Sequence, residues 1–321
     1  MRRQQVGLFL GIAAAAAVGL APLPDSLSAP AQATAAVTVL MAIWWITEAI
    51  PIPITALLPL VCFPATGILS TSATAASYGN HLIFLFLGGF LLAIAIEKCG
   101  LHLRIALHTV RLIGTRPRSV VLGFMTATAF LSMWISNTAA AMLMVTIAMA
   151  VVQNVLGAPA PPGSVRHSAF ATGLMLAIAY GASIGGIATL IGSPPNAIFA
   201  GVVEKTFGHS VDFATWLSVG LPFSVVLLLG VWLYLTRVAY PPELQQLPGG
   251  AALFEQQLQQ LGPLRYEEKL VAAVFAAVAF AWIVRGFVPW FPEVKDSTIA
   301  MLGAIALFAL PSSVPSQRLL D

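Results

Sequence analysis

Apolar residues in this chain come in long unbroken blocks, with polar residues confined to short intervals between them. Crossing a bilayer takes roughly 20 apolar residues in helical form. Blocks at 6–22, 34–50, 54–70, 81–98, 213–236, 268–288 and 297–311 each predict one such helix. Two further blocks, 119–156 and 168–203, are too long for a single straight span. Only 243–268 is a sizeable polar stretch. There Leu244, Leu247, Leu253, Phe254, Leu258 and Leu261 interleave with glutamines and Glu255. That interleaving predicts an amphipathic or interfacial helix, with a plain linker as the alternative.

Composition sharpens this picture. Of 321 residues, 59% are hydrophobic and 8% charged, where a soluble domain carries about a quarter charged. So few charges leave too little polar surface to face water. An ordinary soluble enzyme, a nucleic-acid-binding domain and a disordered chain are excluded, and the fold class is an all-α polytopic membrane protein. Cys62 and Cys99 both sit in apolar surroundings and suggest neither a disulfide framework nor a metal site. The five histidines are scattered without metal-ligand spacing, and no P-loop, G-x-G-x-x-G, C-x-x-C or H-E-x-x-H pattern occurs. No carboxylate pair is placed for acid–base catalysis, so the chain does not read as an enzyme.

The distribution of positive charge sets an orientation. With the N-terminus inside, successive crossings put 99–118, 157–167, 237–267 and 312–321 on the cytoplasmic side. Twelve of the fifteen lysines and arginines then lie inside, including Arg104, Arg111, Arg116, Arg118, Arg166, Arg237 and Arg265, and only Lys205, Arg285 and Lys295 outside. That asymmetry follows the positive-inside rule. Arg2-Arg3, the apolar run to Leu20 and Ala31-Gln32-Ala33 also resemble a signal peptide with its cleavage site. Because the run merges into a wholly apolar chain, a retained first helix is the expectation.

Block 119–156 has 38 residues and as one helix would reach about 57 Å, nearly twice the hydrocarbon thickness. It must fold back at Ser132-Met-Trp-Ile-Ser136-Asn137-Thr138. Two tight spans meeting outside, or a re-entrant hairpin, both satisfy the charge pattern. A turn of only three residues at Ser136–Thr138 with no charged flank suits a tip buried in protein, because irregular backbone at membrane depth must be covered or line a wet cavity. The second arm would then present free N–H groups and a positive dipole end, able to hold a carboxylate oxygen without an arginine. The same residues are also the best N-caps, and a simply capped helix turn is the competing reading.

Block 168–203 carries Tyr180-Gly-Ala-Ser183-Ile-Gly185-Gly186-Ile-Ala-Thr-Leu-Ile-Gly192-Ser193-Pro194-Pro195-Asn196. Its glycines and adjacent prolines forbid a continuous helix. Charge bookkeeping wants one crossing, so a helix broken at mid-membrane is predicted, of the kind that exposes helix ends to ions and substrates. A proline kink used for packing is the alternative. Glu48 before Pro51, Glu97 near an interface and His81 at the start of a span read as helix-end or interfacial residues.

Three motifs now stand in order: Trp44-Trp45-Ile-Thr-Glu48-Ala-Ile-Pro51-Ile-Pro53-Ile-Thr55-Ala-Leu-Leu-Pro59, then Ser132 to Thr138, then Ser183 to Asn196. Together they resemble the divalent-anion:sodium symporters over about residues 34–311. The resemblance implies an elevator-type carrier of dicarboxylate, citrate or sulfate, usually a homodimer, in a bacterial plasma membrane with a cytoplasmic N-terminus. It implies one sodium ion at Ser132, Ser136, Asn137 and a carbonyl near Gly185. It places Ser136, Asn137 and Thr138, with Ser193, Pro194 and Asn196, around a substrate carboxylate. Sodium is the coupling ion, and no other cofactor is expected.

On the same resemblance, 1–118 would be mostly scaffold and 119–212 the transport-domain hairpin and broken helix. Residues 213–267 would hold the sixth span with a cytoplasmic interfacial segment, and 268–321 the start of a second repeat. The family is built as two inverted repeats, whereas Ser-Asn-Thr and Pro-Pro-Asn each occur once here. The expected fold is therefore the first inverted repeat with the second incomplete, the sequence being truncated, with a half-transporter that pairs with a second chain as the alternative, and this chain alone is expected not to transport. Sodium-coupled uptake of a C4-dicarboxylate such as succinate is the leading expectation. A proton-coupled or exchange-type permease, or sulfate as substrate, is the alternative.

Overall fold

The computed structural model describes residues 2–22, 28–156, 168–243, 246–247, 250–287, 294–313 and 318–320. The expected loop 157–167 with Arg166, and Leu244, lie outside the described residues, as does the side chain of Leu253. The described residues are helical with no strand, apart from an isolated bridge between Pro311 and Arg318. They divide into two compact units, Met1–Asn80 and His81–Asp321.

In the first unit, α1 (Arg2–Leu20) and α2 (Ala29–Thr47) form an antiparallel pair. Gly11 lets Trp44 lie flat against α1, and Gly19 faces Ala36. The Gln32 side chain donates to Val18 O at 2.8 Å and Ala21 O at 2.7 Å, capping carbonyls at the end of α1. The tripeptide Ala31–Ala33 is thus the helical start of α2, with Gln32 buried. Glu48 ends α2 in the left-handed region (φ 51°).

The span expected at 54–70 is not one helix. It breaks into α3 (Ile52–Thr55) and α4 (Leu58–Ala65), followed by α5 (Thr71–Tyr78). Pro59, at the second position of α4, removes an amide donor that a helix continuous with α3 would need. Tyr78 folds α5 back by donating to Ala56 O at 2.6 Å.

The second unit begins with α6 (His81–Cys99) and α7 (Leu101–Ile113), joined at Gly100 in the left-handed region. The interval 99–118, expected only as a cytoplasmic connection, therefore contains an amphipathic helix that buries Leu101, His102, Ala106, Leu107 and Val110. Next come α8 (Pro117–Ser132), α9 (Asn137–Leu156), α10 (Ala169–Ala188), α11 (Pro194–Phe207) and α12 (Phe213–Tyr234). The chain continues through a π-turn at Leu235–Ala239 to α13 (Gly250–Leu261), α14 (Tyr266–Arg285) and α15 (Asp296–Ala309).

One apolar core gathers α7 to α10, and α13 closes it by setting Phe254 against Phe124 at 6.4 Å. A second gathers α6, α14 and α15 around Leu85, Val271, Trp282, Ala300 and Leu307. Charged residues tie the helix ends. Arg104 of α7 pairs with buried Glu268 of α14 at 3.2 Å and donates to Gly262 O at 2.9 Å. At the opposite end of α14, Arg285 reaches Asp296 at 2.9 Å, while Glu204 takes His81 at 3.3 Å and Lys295 at 3.4 Å.

Glu243 caps the start of α10, its carboxylate accepting from Ser168 Oγ at 2.5 Å and Phe170 N at 2.9 Å. Partial burial pushes this carboxyl upward, but the bonds from Ser168 and the backbone amides bring it below its usual value. Five helical stretches are long and apolar enough to cross a membrane among the described residues: Arg3–Leu20, Ala29–Thr47, Thr71–Cys99, Ala169–Ala188 and Phe213–Ala239.

Candidate functional site

Helix α8 ends at Ser132 and α9 starts at Asn137, so the hairpin turn is Met133–Ser136. Sequence placed the turn at Ser136–Thr138. The structure moves it back because Asn137 and Thr138 already belong to the first turn of α9. Ser136 is the N-cap, accepting from Ala139 N at 3.2 Å. The capped helix start of the competing reading is present, on one side of the turn. Packing buries the helix residues on either side, Ser132 and Ala140, and Ile135 within the turn, while Ser136 at its end stays exposed. Trp134 braces it, stacking on Phe213 at 6.0 Å and meeting Phe275 edge-on at 4.7 Å.

The broken helix lies directly against this tip. Helix α10 stops at Ala188, five residues cross the gap, and α11 restarts at Pro194 with prolines at its first two positions. Proline is suited there because those amides have no helical partner anyway. Gly181 and Gly185 bring α10 onto α8 so closely that a Cβ at Gly185 would collide with Ala129 O, and one at Gly181 would lie 2.7 Å from Met125 O. The side chain of Asn137 packs on the bare face of Gly186 in the same way.

Four helix ends thus meet in one place: the carboxyl ends of α8 and α10 and the amino ends of α9 and α11. The structure turns Asn137 Oδ1 toward Ser132 Oγ at 2.7 Å and toward Ala182 O and Gly192 O at 3.3 Å. In that orientation four oxygens face each other with one hydroxyl proton among them, Ser132 Oγ lying 2.7 Å from both Asn137 Oδ1 and Ala182 O. Rotating the amide by half a turn lets its nitrogen donate to Ser132 Oγ, Gly192 O and Ala182 O. A cation among the same oxygens would satisfy them in the other orientation, since hard cations prefer oxygen ligands.

Around this inner layer the gap is laced shut. Thr189 Oγ1 donates to Met133 O at 2.5 Å and accepts from Gly192 N at 3.0 Å. The Asn196 amide donates to Gly186 O and Thr189 O, both at 2.8 Å. Trp216 caps Ile187 O at 2.9 Å and Ser224 caps Ile184 O at 3.0 Å. Ser136, Thr138 and Pro194 are exposed and Ser193 is half-buried, so they form an outer polar rim. Ser132, Asn137, Gly185 and Asn196 lie beneath it. Sequence reasoning did not single out Thr189 or the Gly192 carbonyl. Both belong to the glycine-rich run already under suspicion, but nothing local distinguishes them from its other residues.

The family described as sodium:sulfate symporter transmembrane region matches residues 2–317. The sodium-dependent dicarboxylate transporter SdcS of Staphylococcus saprophyticus is 43% identical over 316 residues, and that of Staphylococcus aureus strain RF122 is 44% identical over 314. Each match covers 96% of this chain and 60% of the relative, so the chain spans about three-fifths of the length of the curated relatives it matches. This is an integral, multi-pass membrane chain, and it belongs to the sodium:sulfate symporter family of divalent-anion:sodium symporters.

Proposed function

We propose that the protein couples sodium entry to transport of a divalent anion, a C4-dicarboxylate such as succinate being the first candidate, and that it is a carrier rather than an enzyme. The observation that carries this reading is the hairpin turn set against the gap of the broken helix, where the Asn137 side-chain amide meets Ser132 Oγ at 2.7 Å and Ala182 O and Gly192 O at 3.3 Å. Carboxyl ends of helices favour a cation there and amino ends an anion. Sodium takes the inner oxygens of Ser132 and Asn137, with Ser136 from the rim and a carbonyl near Gly185 in the last turn of α10 or at Gly192 in the gap. One substrate carboxylate takes the exposed rim of Ser136, Asn137, Thr138 and Ser193, beside Pro194, with Asn196 beneath holding the gap. A bound cation offsets the cost of drawing the anion out of water, which couples the two.

The elements of the site, α8 to α12, would move as one body past α6, α14 and α15 in an elevator cycle. The hairpin would be re-entrant, the N-terminus cytoplasmic, and the working form a homodimer in a bacterial plasma membrane. The names of the Staphylococcus relatives support sodium and dicarboxylate over sulfate. Radiolabelled succinate uptake into proteoliposomes, with the protein at the full length of its Staphylococcus relatives and with and without a sodium gradient, tests the reading. Sodium-driven uptake abolished in Asn137→Ala is the expected result. Uptake indifferent to sodium would overturn the coupling, and uptake unchanged in Asn137→Ala would overturn the site.

A further inference from the structure

Thr189 touches neither the exposed rim nor the facing oxygens, yet its hydroxyl uses both its proton and a lone pair to join the two halves of the site. The proton goes to Met133 O, the residue immediately after Ser132, and the oxygen accepts from Gly192 N, whose own carbonyl faces Asn137. Thr189 is fully buried, and its backbone carbonyl is held from the other side by the Asn196 amide, which also holds Gly186 O. The Thr189 hydroxyl therefore ties the hairpin turn directly to the gap in the broken helix. The Asn137 amide, with its nitrogen turned to Gly192 O at 3.3 Å, is a second and longer side-chain link between the same two segments.

We infer that Thr189 is a positioning residue for sodium, fixing the Gly192 carbonyl relative to Ser132 and Asn137 without binding the ion itself. This inference rests on the sodium site proposed above. A cation held by oxygens from two separate segments is sensitive to their spacing, and removing a partner one shell out costs about 10–100-fold in metal affinity. Threonine supplies donor and acceptor on one atom, which valine of the same shape cannot.

The test is the sodium dependence of thermal unfolding of the purified protein in detergent, titrating sodium chloride against choline chloride at constant ionic strength. Wild type should gain stability with sodium. Thr189→Val should move the midpoint of that gain about tenfold or more to higher sodium, whereas Thr189→Ser should stay within about threefold of wild type. Rescue by serine separates positioning from bulk packing, because serine loses the methyl group and keeps the bridge. If Thr189→Val does not yield folded protein, Thr189→Cys, with its weak donor and acceptor, should give an intermediate midpoint. A wild-type midpoint in the valine or cysteine variant, or a serine variant as weak as valine, overturns the inference and leaves the sodium site standing. No sodium response in wild type itself overturns the site and the inference together.

Discussion

Ser132 and Asn137, five residues apart, close the hairpin tip on itself, with 2.7 Å between the serine hydroxyl and the asparagine amide. The same hydroxyl reaches Ala182 O on α10. A side chain at the end of one helix thereby fixes both the start of the next and a carbonyl fifty residues away. Such a buried knot is rigid only while every member is satisfied.

Removing the hydroxyl with Ser132→Ala takes away its 2.7 Å contacts with the Asn137 amide and Ala182 O and leaves that amide its longer 3.3 Å contacts. The expected cost is about 0.5–1.5 kcal/mol of stability, the usual net worth of a hydrogen bond. Chemical or thermal unfolding in detergent would read it. A variant as stable as wild type would show that the knot is dispensable.

Gly185 is where α10 presses on α8, with the Ala129 carbonyl in the path of any Cβ. Gly185→Ala should separate the helices and cost about 1–3 kcal/mol, as overpacking does. Ser183, two residues earlier, is exposed and bonds only back to Ala179 O at 3.3 Å. Ser183→Ala should therefore stay within about 0.5 kcal/mol of wild type. Equal effects at the two positions would contradict the packing described.

The Arg104–Glu268 pair holds α7 to α14, its side chains only 12% and 2% exposed. Glu268→Gln leaves a buried guanidinium without its counter-charge and should cost about 3–5 kcal/mol. Replacing both partners, as Arg104→Met with Glu268→Leu, should recover most of that loss, because the desolvation of two charges disappears with their attraction. A double variant as unstable as the single one would assign the loss to the three carbonyls around Arg104 instead.

Glu267 opens α14 outside the membrane-spanning part of that helix. Its carboxylate accepts from Ser313 Oγ, from Ser313 N at 2.8 Å and from Ser312 Oγ at 3.2 Å. These bonds, led by the Ser313 hydroxyl, lower its pKa from 4.5 to about 2. A folded-state pKa below the unfolded one stabilises above the unfolded value, so this contact persists through mild acid and is lost as pH falls toward about 2. Ser313→Ala should return the carboxyl toward its usual range, which an infrared titration of the carboxylate band would detect. An unchanged titration would assign the lowering elsewhere.

Much of the arrangement is legible in the chain because its causes are local. The length of 119–156 exceeds any straight span, so a fold-back was required, and Gly185, Gly186, Gly192, Pro194 and Pro195 forbid a continuous helix wherever they sit. Ser136 caps for the same local reason. The break at 54–70 was equally local and its prolines visible, but apolar continuity outweighed them. The amphipathic face of α7 was hidden for a different reason, since its charges read as a connection until α8 and α13 gave the apolar side something to cover.

Hydropathy alone determined that the chain lives in a membrane, and backbone stereochemistry where it must turn and break. Only tertiary structure decided that the turn and the break lie against each other, and which hydroxyl joins them. Thr189 and Met133 are 56 residues apart, Arg104 and Glu268 164. A hydrogen bond recognises direction and distance rather than sequence position, so its partner is chosen only after the helices have packed.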